Sequence, residues 1–548
     1  MLPAFPVSRF ASFAVLTTAV ALVAGCARKE PAVDVAARDG ILLQSIGAVE
    51  PALDPHLATT LNERTVLTAL LEGLVQPDAQ TLEPRPAVAE RWTISDDGLV
   101  YTFHLRADAR WSNGDPVTAG DFVASIRRAL SPRLTSTNAG DLMAPLRGAT
   151  AFLRGEFEDF TRVGAQALDE RTLQLTLEAP HAQFLSMLTH FVWLPVHLPT
   201  VQAHGAIDDR SNRWARPSTF VGNGPFRIKA EHPGQALELE ANPLYWNAKH
   251  VALRGVTFFT FHEKGPEEKA FRSGQIHLTE ALPNSKLPTY RRERPEVLRV
   301  APSYGTYIYR INTTRPPLDN PQVRRALSLA VNRRLLVDRV LNQAYEPAHA
   351  FTPSGPAGYT APQLAVDDPA RARELLAAAG HAGGNGLRQL EILFNKSEDH
   401  QAIAEAIQAM WTSELGLTVT LLSQEQQVAL DNRKRLNYDI SRASWFADYS
   451  DPASFLQAFT TGNANNQTGW SHARYDELVA RAATSRDAAE RLRTFAAAEE
   501  ILLTEAPVIP IHVYSTIRLV DPRVQGWFDN ALDQHPFDAL SLRVEPTP

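Results

Sequence analysis

Residues 441–455 read SRASWFADYSDPASF and set one acid, Asp448, among aromatic and small side chains. Without wider context, a lone acid in such a stretch more often caps a turn than binds a ligand. Here a second acid, Asp451, directly precedes Pro452 and is the better candidate for a turn or a helix start. Asp448 is therefore available for a ligand.

The composition is that of an ordinary globular protein with more than one lobe. At 548 residues, the chain exceeds the size at which a single hydrophobic core stops growing. The net charge is −7, without an extended basic run, which argues against a nucleic-acid partner.

The first 26 residues have the pattern of an export signal. Arg9 is followed by an apolar run over residues 10–24, which is too short for a convincing membrane-spanning helix. Residues 23–26, Val-Ala-Gly-Cys, resemble a bacterial lipobox, which implies that Cys26 is lipid-modified; the alternative is an unmodified signal cleaved nearby. Cys26 is the only cysteine, so an internal disulfide is excluded.

Several short patterns predict alternating helices and strands. A polar linker is predicted from residue 27 to about residue 40, and the folded body begins at the strand-like Ile41-Leu42-Leu43. Tyr101, Phe103 and Leu105 alternate with polar residues, as in a half-buried strand. The other predicted elements are helices at 119–130 after Thr118, from Asn320-Pro321 onward and from Asp368-Pro369 to Gly380, and a strand at 417–422. This mixture predicts α/β lobes.

Short motifs in a fixed order resemble a known family of receptors. They are Leu53-Asp54-Pro55-His56, Phe103-His104-Leu105-Arg106, Trp111-Ser112-Asn113-Gly114-Asp115-Pro116-Val117-Thr118-Ala119, Asp121-Phe122-Val123, Gly222-Asn223-Gly224-Pro225-Phe226, Asn242-Pro243-Leu244-Tyr245-Trp246, Val323-Arg324-Arg325-Ala326-Leu327 and the segment 441–455. Together they resemble the extracytoplasmic solute-binding proteins of peptide ABC importers, the oligopeptide and dipeptide receptor family.

The resemblance implies a fold, a location and partners. The implied fold is a two-lobed α/β periplasmic-binding-protein-like fold (type II, peptide-binding branch) with an extra third domain. The expected boundaries are a signal at 1–26, a discontinuous lobe I at 27–63, 195–303 and 516–548, an extra domain II at 64–194, and lobe III at 304–515. The expected protein is a monomer, periplasmic or at the cell surface, lipid-anchored through Cys26. It would bind short peptides and deliver them to a membrane permease driven by an ATPase.

A receptor for peptides of any sequence must satisfy an ammonium, a carboxylate and backbone amides, because an unpaired charge in a closed cleft is costly. By resemblance, the acid of Trp445-Phe446-Ala447-Asp448-Tyr449 pairs with the ligand's N-terminus. The resemblance also implies cations at graded depths for the ligand carboxylate: Arg442, Arg433, His400 and Arg315. Each could instead be a solvated surface residue.

The edge at Ser444, Trp445 and Phe446, and that at residues 47–50, are candidates for pairing with the ligand backbone. Trp445 and Phe446 could flank ligand side chains or belong to the core. Some departures from the family concern side-chain preference. A disulfide that the resemblance implies between positions 305 and 446 is absent, since Gly305 and Phe446 stand there. Gln426 replaces an expected aromatic wall, and residues 136–138 lack an expected tyrosine.

The sequence also bears on functions other than peptide binding. The sequence has no Gly-x-Ser-x-Gly elbow, no His-Glu-x-x-His, no phosphate loop and no cysteine pair, so we predict no enzyme, cofactor or metal site. A hydrolase built from distant residues remains an alternative. A nearer one is a related receptor for a specialised ligand such as a murein peptide, a dipeptide, an opine-like conjugate, haem or a metal chelate. A third is a signalling or adhesion lipoprotein.

Overall fold

The computed structural model describes residues 30–47, 53–485 and 487–544. The predicted signal and Cys26 lie outside these residues, as does most of the candidate edge at 47–50. The strands of the described residues are β1 Ile41–Ser45, β2 Val75–Pro77, β3 Pro84–Pro86, β4 Ala89–Ile94, β5 Val100–Leu105, β6 Ala165–Asp169, β7 Thr172–Thr176, β8 Phe226–His232, β9 Ala236–Ala241, β10 Gly255–Phe259, β11 Leu298–Ile311, β12 Glu346–Pro347, β13 Leu390–Asn395, β14 Val419–Gln424, β15 Ile440–Phe446, β16 Val508–Leu519, β17 Val524–Gln525 and β18 Ser541–Leu542.

Helices alternate with these strands. The α-helices are α1 Ala32–Asp39, α2 Leu61–Leu70, α3 Ala119–Ala129, α4 Ala139–Leu142, α5 Ala149–Leu153, α6 Phe184–Met187, α7 Leu198–Ala203, α8 Lys264–Arg272, α9 Leu287–Glu293, α10 Pro321–Leu329, α11 Arg333–Leu335, α12 Pro369–Ala378, α13 Glu398–Leu415, α14 Gln426–Lys434, α15 Ala453–Leu456, α16 Ala473–Thr484 and α17 Ala488–Glu505. Shorter 3-10 turns include Phe191–Trp193, Asn284–Lys286 and Gln457–Phe459.

The helix starts follow from their first residues, as predicted. The side chain of Thr118 accepts from the N–H of Asp121 and caps α3. Asn320 caps α10, and Asp368 caps α12, each directly before a proline in the first turn. The predicted end of α12 at Gly380 is two residues too long, because the helix stops at Ala378 and Gly380 adopts a φ of 89°.

The first sheet has the order β1-β10-β9-β8, with β1 parallel to β10. The prediction of a linker up to residue 40 is wrong over α1, because Val33, Ala36 and Ala37 recur at helical spacing and are buried. Gly40 ends this helix with a φ of 70°.

The second sheet is antiparallel, in the order β4-β5-β7-β6. Tyr101, Phe103 and Leu105 of β5 point into its core, which confirms the alternating pattern. A buried ion pair joins α3 of this domain to the Leu-Asp-Pro-His motif. Both Nη atoms of Arg128 contact the carboxylate of Asp54, at 2.8 and 2.5 Å.

The third sheet has six strands in the order β12-β16-β11-β15-β13-β14. Its two longest strands, β11 and β16, pair antiparallel from Leu298 and Leu519 to Arg310 and Val508. Their outer ends reach the first sheet, since Leu278 bridges both Gln44 of β1 and Val520. The sheets therefore share a pair of connecting strands, which run through the expected boundaries at 303/304 and 515/516.

Side chains meet across the gaps between the sheets, so the cleft is closed. Asn465 donates to the carboxylate of Asp141 in α4 at 2.8 Å, and Asn284 donates to Asp399 of α13 at 3.2 Å. No helix of the described residues is long and apolar enough to cross a membrane.

Candidate ligand-binding site

The loop after β15 is held by the acid that the sequence assigned to a structural role. Asp451 is fully buried, and its Oδ1 accepts from the N–H of Ala453 at 2.9 Å. The guanidinium of Arg491, from α17, donates to both carboxylate oxygens, at 2.6 and 2.8 Å. The prediction that Asp451 serves the turn is confirmed, and its charge is neutralised inside the protein.

Asp448 lies in the same loop, but its carboxylate faces a cavity. Its backbone N–H donates to Oγ of Ser454 at 2.9 Å, and Nε1 of Trp445 donates to the carbonyl of the same serine at 2.7 Å. The cavity measures about 350 Å³ and lies between α4 and this loop. Trp445, Asp141 and His181 also line it.

In the described part of the chain, no charged side chain pairs with the carboxylate of Asp448. Among the described residues no group donates a hydrogen bond to it, and its side chain is 38 % exposed to the cleft. Burial and then the charge of Asp141 raise its pKa to about 7, opposed by the charge of Arg64. His190 Nε2 is 3.9 Å away, but burial lowers the pKa of His190 to about 3. A neutral imidazole is no counter-ion, so this site would bind a cation.

Arg442 and His400 lie together on the other side of β15, against Tyr307. The guanidinium of Arg442 stacks 4.9 Å from the ring centre of Tyr307, and its Nη2 donates to Oη of Tyr514 at 2.9 Å. The ring of His400, in the first turn of α13, is 5.6 Å from that of Tyr307. Arg442 Nε and His400 Nδ1 are buried without partners among the described residues. A guanidinium N–H suits a ligand oxygen, and the imidazole of His400 offers one nitrogen that donates and one that accepts.

His400 is neutral in this cluster. Burial lowers its pKa to about 3, with smaller contributions from the charges of Arg442 and Lys264. It would therefore donate a hydrogen bond without adding charge, and Arg442 supplies the positive charge.

The two aromatic candidates face different cavities. Phe446 lines a second cavity of about 170 Å³ beneath the connecting strands, and its ring centre lies 4.8 Å from that of Tyr514. Lys264 and Tyr345 line this cavity too. Trp445 lines the Asp448 cavity instead. Neither ring is fully buried, so neither belongs wholly to the core.

The strand carrying these residues has an edge available for a ligand backbone. β15 pairs with β11 along its whole length, but its pairing with β13 covers only Ile440 and Ser441. From Ser444 to Phe446, that edge has no strand partner among the described residues.

The structure places the other two predicted cations elsewhere. Arg433 supports β15 from behind, since its Nη1 donates to the carbonyl of Arg442 at 3.1 Å and its Nε donates to Gln467 at 2.7 Å. Burial lowers its pKa to about 10. Arg315 pairs with Asp439 at 3.3 Å in a surface depression and, like Arg442 and His400, lines neither of the two cavities.

Gly305 and Phe446 face each other across β11 and β15. A Cβ on Gly305 would lie only 2.3 Å from Cδ1 of Phe446, so the phenyl ring needs a glycine opposite it. At the positions where the resemblance implies a disulfide, this chain packs a ring over backbone.

Several residues of the candidate site were not predicted from the sequence: Asp141 and His181, which line the Asp448 cavity, and Tyr307 and Tyr514, which contact Arg442. Asp141 lies more than 300 positions before Asp448. The only expectation for the neighbouring residues 136–138 was a tyrosine, which they lack. Tyr307 lies in β11 and Tyr514 in β16, and the largely apolar pattern of these strands predicts burial and says nothing of a ligand.

Residues 83–467 match the family model described as bacterial extracellular solute-binding proteins, family 5. The chain belongs to this family. It is 34 % identical over 486 residues to the periplasmic murein peptide-binding protein MppA of Escherichia coli, covering 87 % of this chain and 88 % of the relative. It is 32 % identical over 525 residues to the periplasmic oligopeptide-binding protein OppA of Salmonella typhimurium, covering 94 % of each.

A solved family 5 structure has the same fold. Haemophilus influenzae OppA in complex with the peptide RPPGFSPFR superposes with a TM-score of 0.80 at 31 % identity, covering 92 % of this chain and 99 % of that one. The predicted two-lobed type II fold is confirmed. Family 5 proteins bind solutes outside the cytoplasm, and among the described residues no cluster of His, Cys, Asp and Glu could hold a metal ion.

Proposed function

We propose that this family 5 protein is the receptor of an ABC importer and captures short peptides by their free N-terminal amine. The observation that carries the proposal is the unpaired carboxylate of Asp448 in a closed cleft, on the same strand system as the Arg442 and His400 cluster. Relatives named for oligopeptides and murein peptides cover about nine-tenths of the chain, which supports it.

In this proposal the ligand lies along the free edge of β15. Its ammonium pairs with Asp448, its backbone adds to the edge at Ser444–Phe446, and its carboxylate is met by Arg442 and His400. Trp445 and Phe446 flank side chains from opposite sides. Arg433 acts by holding the strand that carries Arg442.

Transport follows from closure. Ligand shifts an existing open–closed equilibrium by binding the closed form more tightly. The closed lobes would then present a joint surface to a permease, which a cytoplasmic ATPase drives. The receptor itself forms and breaks no covalent bond.

Native mass spectrometry of the protein purified without unfolding tests this function. We expect a distribution of bound masses that fits peptides of two to five residues. A single recurring mass would instead identify a specialised receptor, for example for a murein peptide. A protein that carries only non-peptide masses would contradict the proposal.

Arg442→Met tests the carboxylate end of the site. We expect the unchanged protein to bind trialanine at least about tenfold more tightly than trialanine amide, because the amide lacks the charge that Arg442 pairs with. Arg442→Met should bind both peptides equally weakly in calorimetry. Arg339→Met, which replaces an exposed arginine of the same lobe, is the control. If Arg442→Met kept the preference for the free carboxylate, another cation would fill this role.

We propose in addition that a lipid on Cys26 anchors the protein to a membrane, with the folded body outside the cytoplasm. The full-length protein should sediment with the membrane fraction and incorporate labelled palmitate, and Cys26→Ala should do neither. Identical fractionation of the two proteins would remove the anchor from the proposal and leave peptide capture unaffected.

A further inference from the structure

We propose that Asp141 makes the amine cavity selective for peptides whose first residue carries a second positive charge, lysine or arginine. This inference rests on the proposed function, because it takes the ligand ammonium to lie beside Asp448. It concerns a residue of the segment expected as domain II, which lines the cavity together with residues of lobe III.

The two acids come from opposite sides of one cavity. Asp141 belongs to α4, and Asp448 follows β15; both line the cavity of about 350 Å³. Asn465 Nδ2 donates to Oδ2 of Asp141 at 2.8 Å and fixes the carboxylate across the cleft. Asn465 is itself held, since its own N–H donates to Oδ1 of Asn463 at 2.8 Å.

Two carboxylates line the cavity, whereas a peptide with a neutral first residue brings a single ammonium. Arg64 adds positive charge that lowers the pKa of Asp448, but its Nη2 donates to the backbone carbonyls of Leu532 and Asp533, each at 2.8 Å, and among the described residues it forms no ion pair with Asp448 or Asp141. Arg491 is paired with the buried Asp451. His190 and His181 are neutral at pH 7, since burial lowers their pKa values to about 3 and about 4.

The charge of Asp141 is therefore unmatched when the first ligand residue is neutral. Burial raises the pKa of Asp141, with Asn465 opposing, so the protein itself disfavours its ionised form. A second cation on the ligand would reverse this cost and leave one positive charge for each carboxylate.

The cavity also has room and a further acceptor for such a side chain. Its volume is roughly ten times the ~30 Å³ that one water occupies in the liquid, far more than an ammonium group fills. Nδ1 of His181, on the cavity wall, is buried and has no hydrogen-bond partner among the described residues. A neutral imidazole nitrogen can accept from an ammonium or guanidinium N–H. An apolar side chain would leave this nitrogen without a donor, and it would leave Asp141 with the neutral amide of Asn465 but no positive charge beside it.

Calorimetry with three peptides at pH 7.5 tests the inference: Lys-Ala-Ala, norleucine-Ala-Ala and Ala-Ala-Ala. Norleucine keeps the length of lysine without its charge. We expect Lys-Ala-Ala to bind roughly tenfold more tightly than the norleucine peptide, and Asp141→Asn to reduce this ratio to about twofold or less. Glu156→Gln, an exposed acid of the same domain, should leave the ratio unchanged.

The outcomes separate the inference from the function on which it rests. Equal affinity for the lysine and norleucine peptides, or a ratio that survives Asp141→Asn, overturns the role of Asp141. Uniform weakening of all three peptides by Asp141→Asn also overturns it and makes the bond to Asn465 a simple interdomain contact. If Ala-Ala-Ala and its relatives all fail to bind the unchanged protein, the proposed function itself is wrong.

Discussion

Asp448→Asn should weaken the binding of trialanine by about 2–5 kcal/mol, because it leaves the ligand ammonium without its counter-ion in a closed cleft. This loss is roughly 30-fold or more in Kd and is measured by calorimetry at pH 7.5. The replacement keeps the size of the side chain and removes only its charge. Glu374→Gln, an exposed acid of the same lobe, should leave the affinity unchanged.

The pH dependence of binding gives the same assignment a second readout. Asp448 must be ionised to pair with an ammonium, and its pKa in the free protein is raised to about 7. Affinity should therefore fall about tenfold per unit as pH drops below 7, as proton binding competes with the ligand. It should also fall above about pH 8, where the peptide amine loses its proton. In Asp448→Asn the acid side of this profile should be flat; a profile unchanged from that of the natural protein would refute the assignment.

Arg491→Met should destabilise the protein by about 3–5 kcal/mol, because it strands the carboxylate of Asp451 in the interior without a partner. The free energy of unfolding from urea denaturation measures this effect. Ligand affinity should fall as well, since Asp451 holds the loop that carries Asp448.

An exposed pair on the neighbouring helix gives a matched control. Arg474 and Glu477 of α16 are 2.7 Å apart and about half exposed, so Arg474→Met should cost less than about 1 kcal/mol. Adding Asp451→Asn to Arg491→Met should restore part of the lost stability by removing the stranded charge. If Arg491→Met and Arg474→Met lowered the free energy of unfolding by the same small amount, the buried ion pair would stabilise the fold no more than the exposed one.

The local elements were predictable because their signals are local. An acid or amide followed by proline fixed the starts of α10 and α12, and alternation fixed β5. The helix α1 was missed because its short, alanine-rich sequence resembles a linker. The helix packs against Gly274, which is distant in the sequence, and against the first sheet. The spacing of apolar residues in the sequence does not reveal that β11 and β16 are shared between two sheets.

The site was predictable only as far as one segment carries it. Within residues 441–455, the position of Pro452 assigns Asp451 to the turn and leaves Asp448 for a ligand. The structure confirms the turn role of Asp451. Asp141 and His181 could not be found in this way, because their proximity to Asp448 arises from the docking of domain II. Arg315 matched a motif but lies after β11 at the surface, where it shares the carboxylate of Asp439 with Arg388, and a motif does not reveal such surroundings of a side chain.

The central claim is that the cleft recognises a free peptide amine. The most direct test is calorimetry of the purified protein with trialanine and with N-acetyl-trialanine at pH 7.5. The two ligands share their backbone and carboxylate and differ in the charged amine. We predict measurable binding of trialanine and at least roughly 30-fold weaker binding of the acetylated peptide. Equal affinity for both would contradict the account and move the search for recognition to the Arg442 cluster and the aromatic walls.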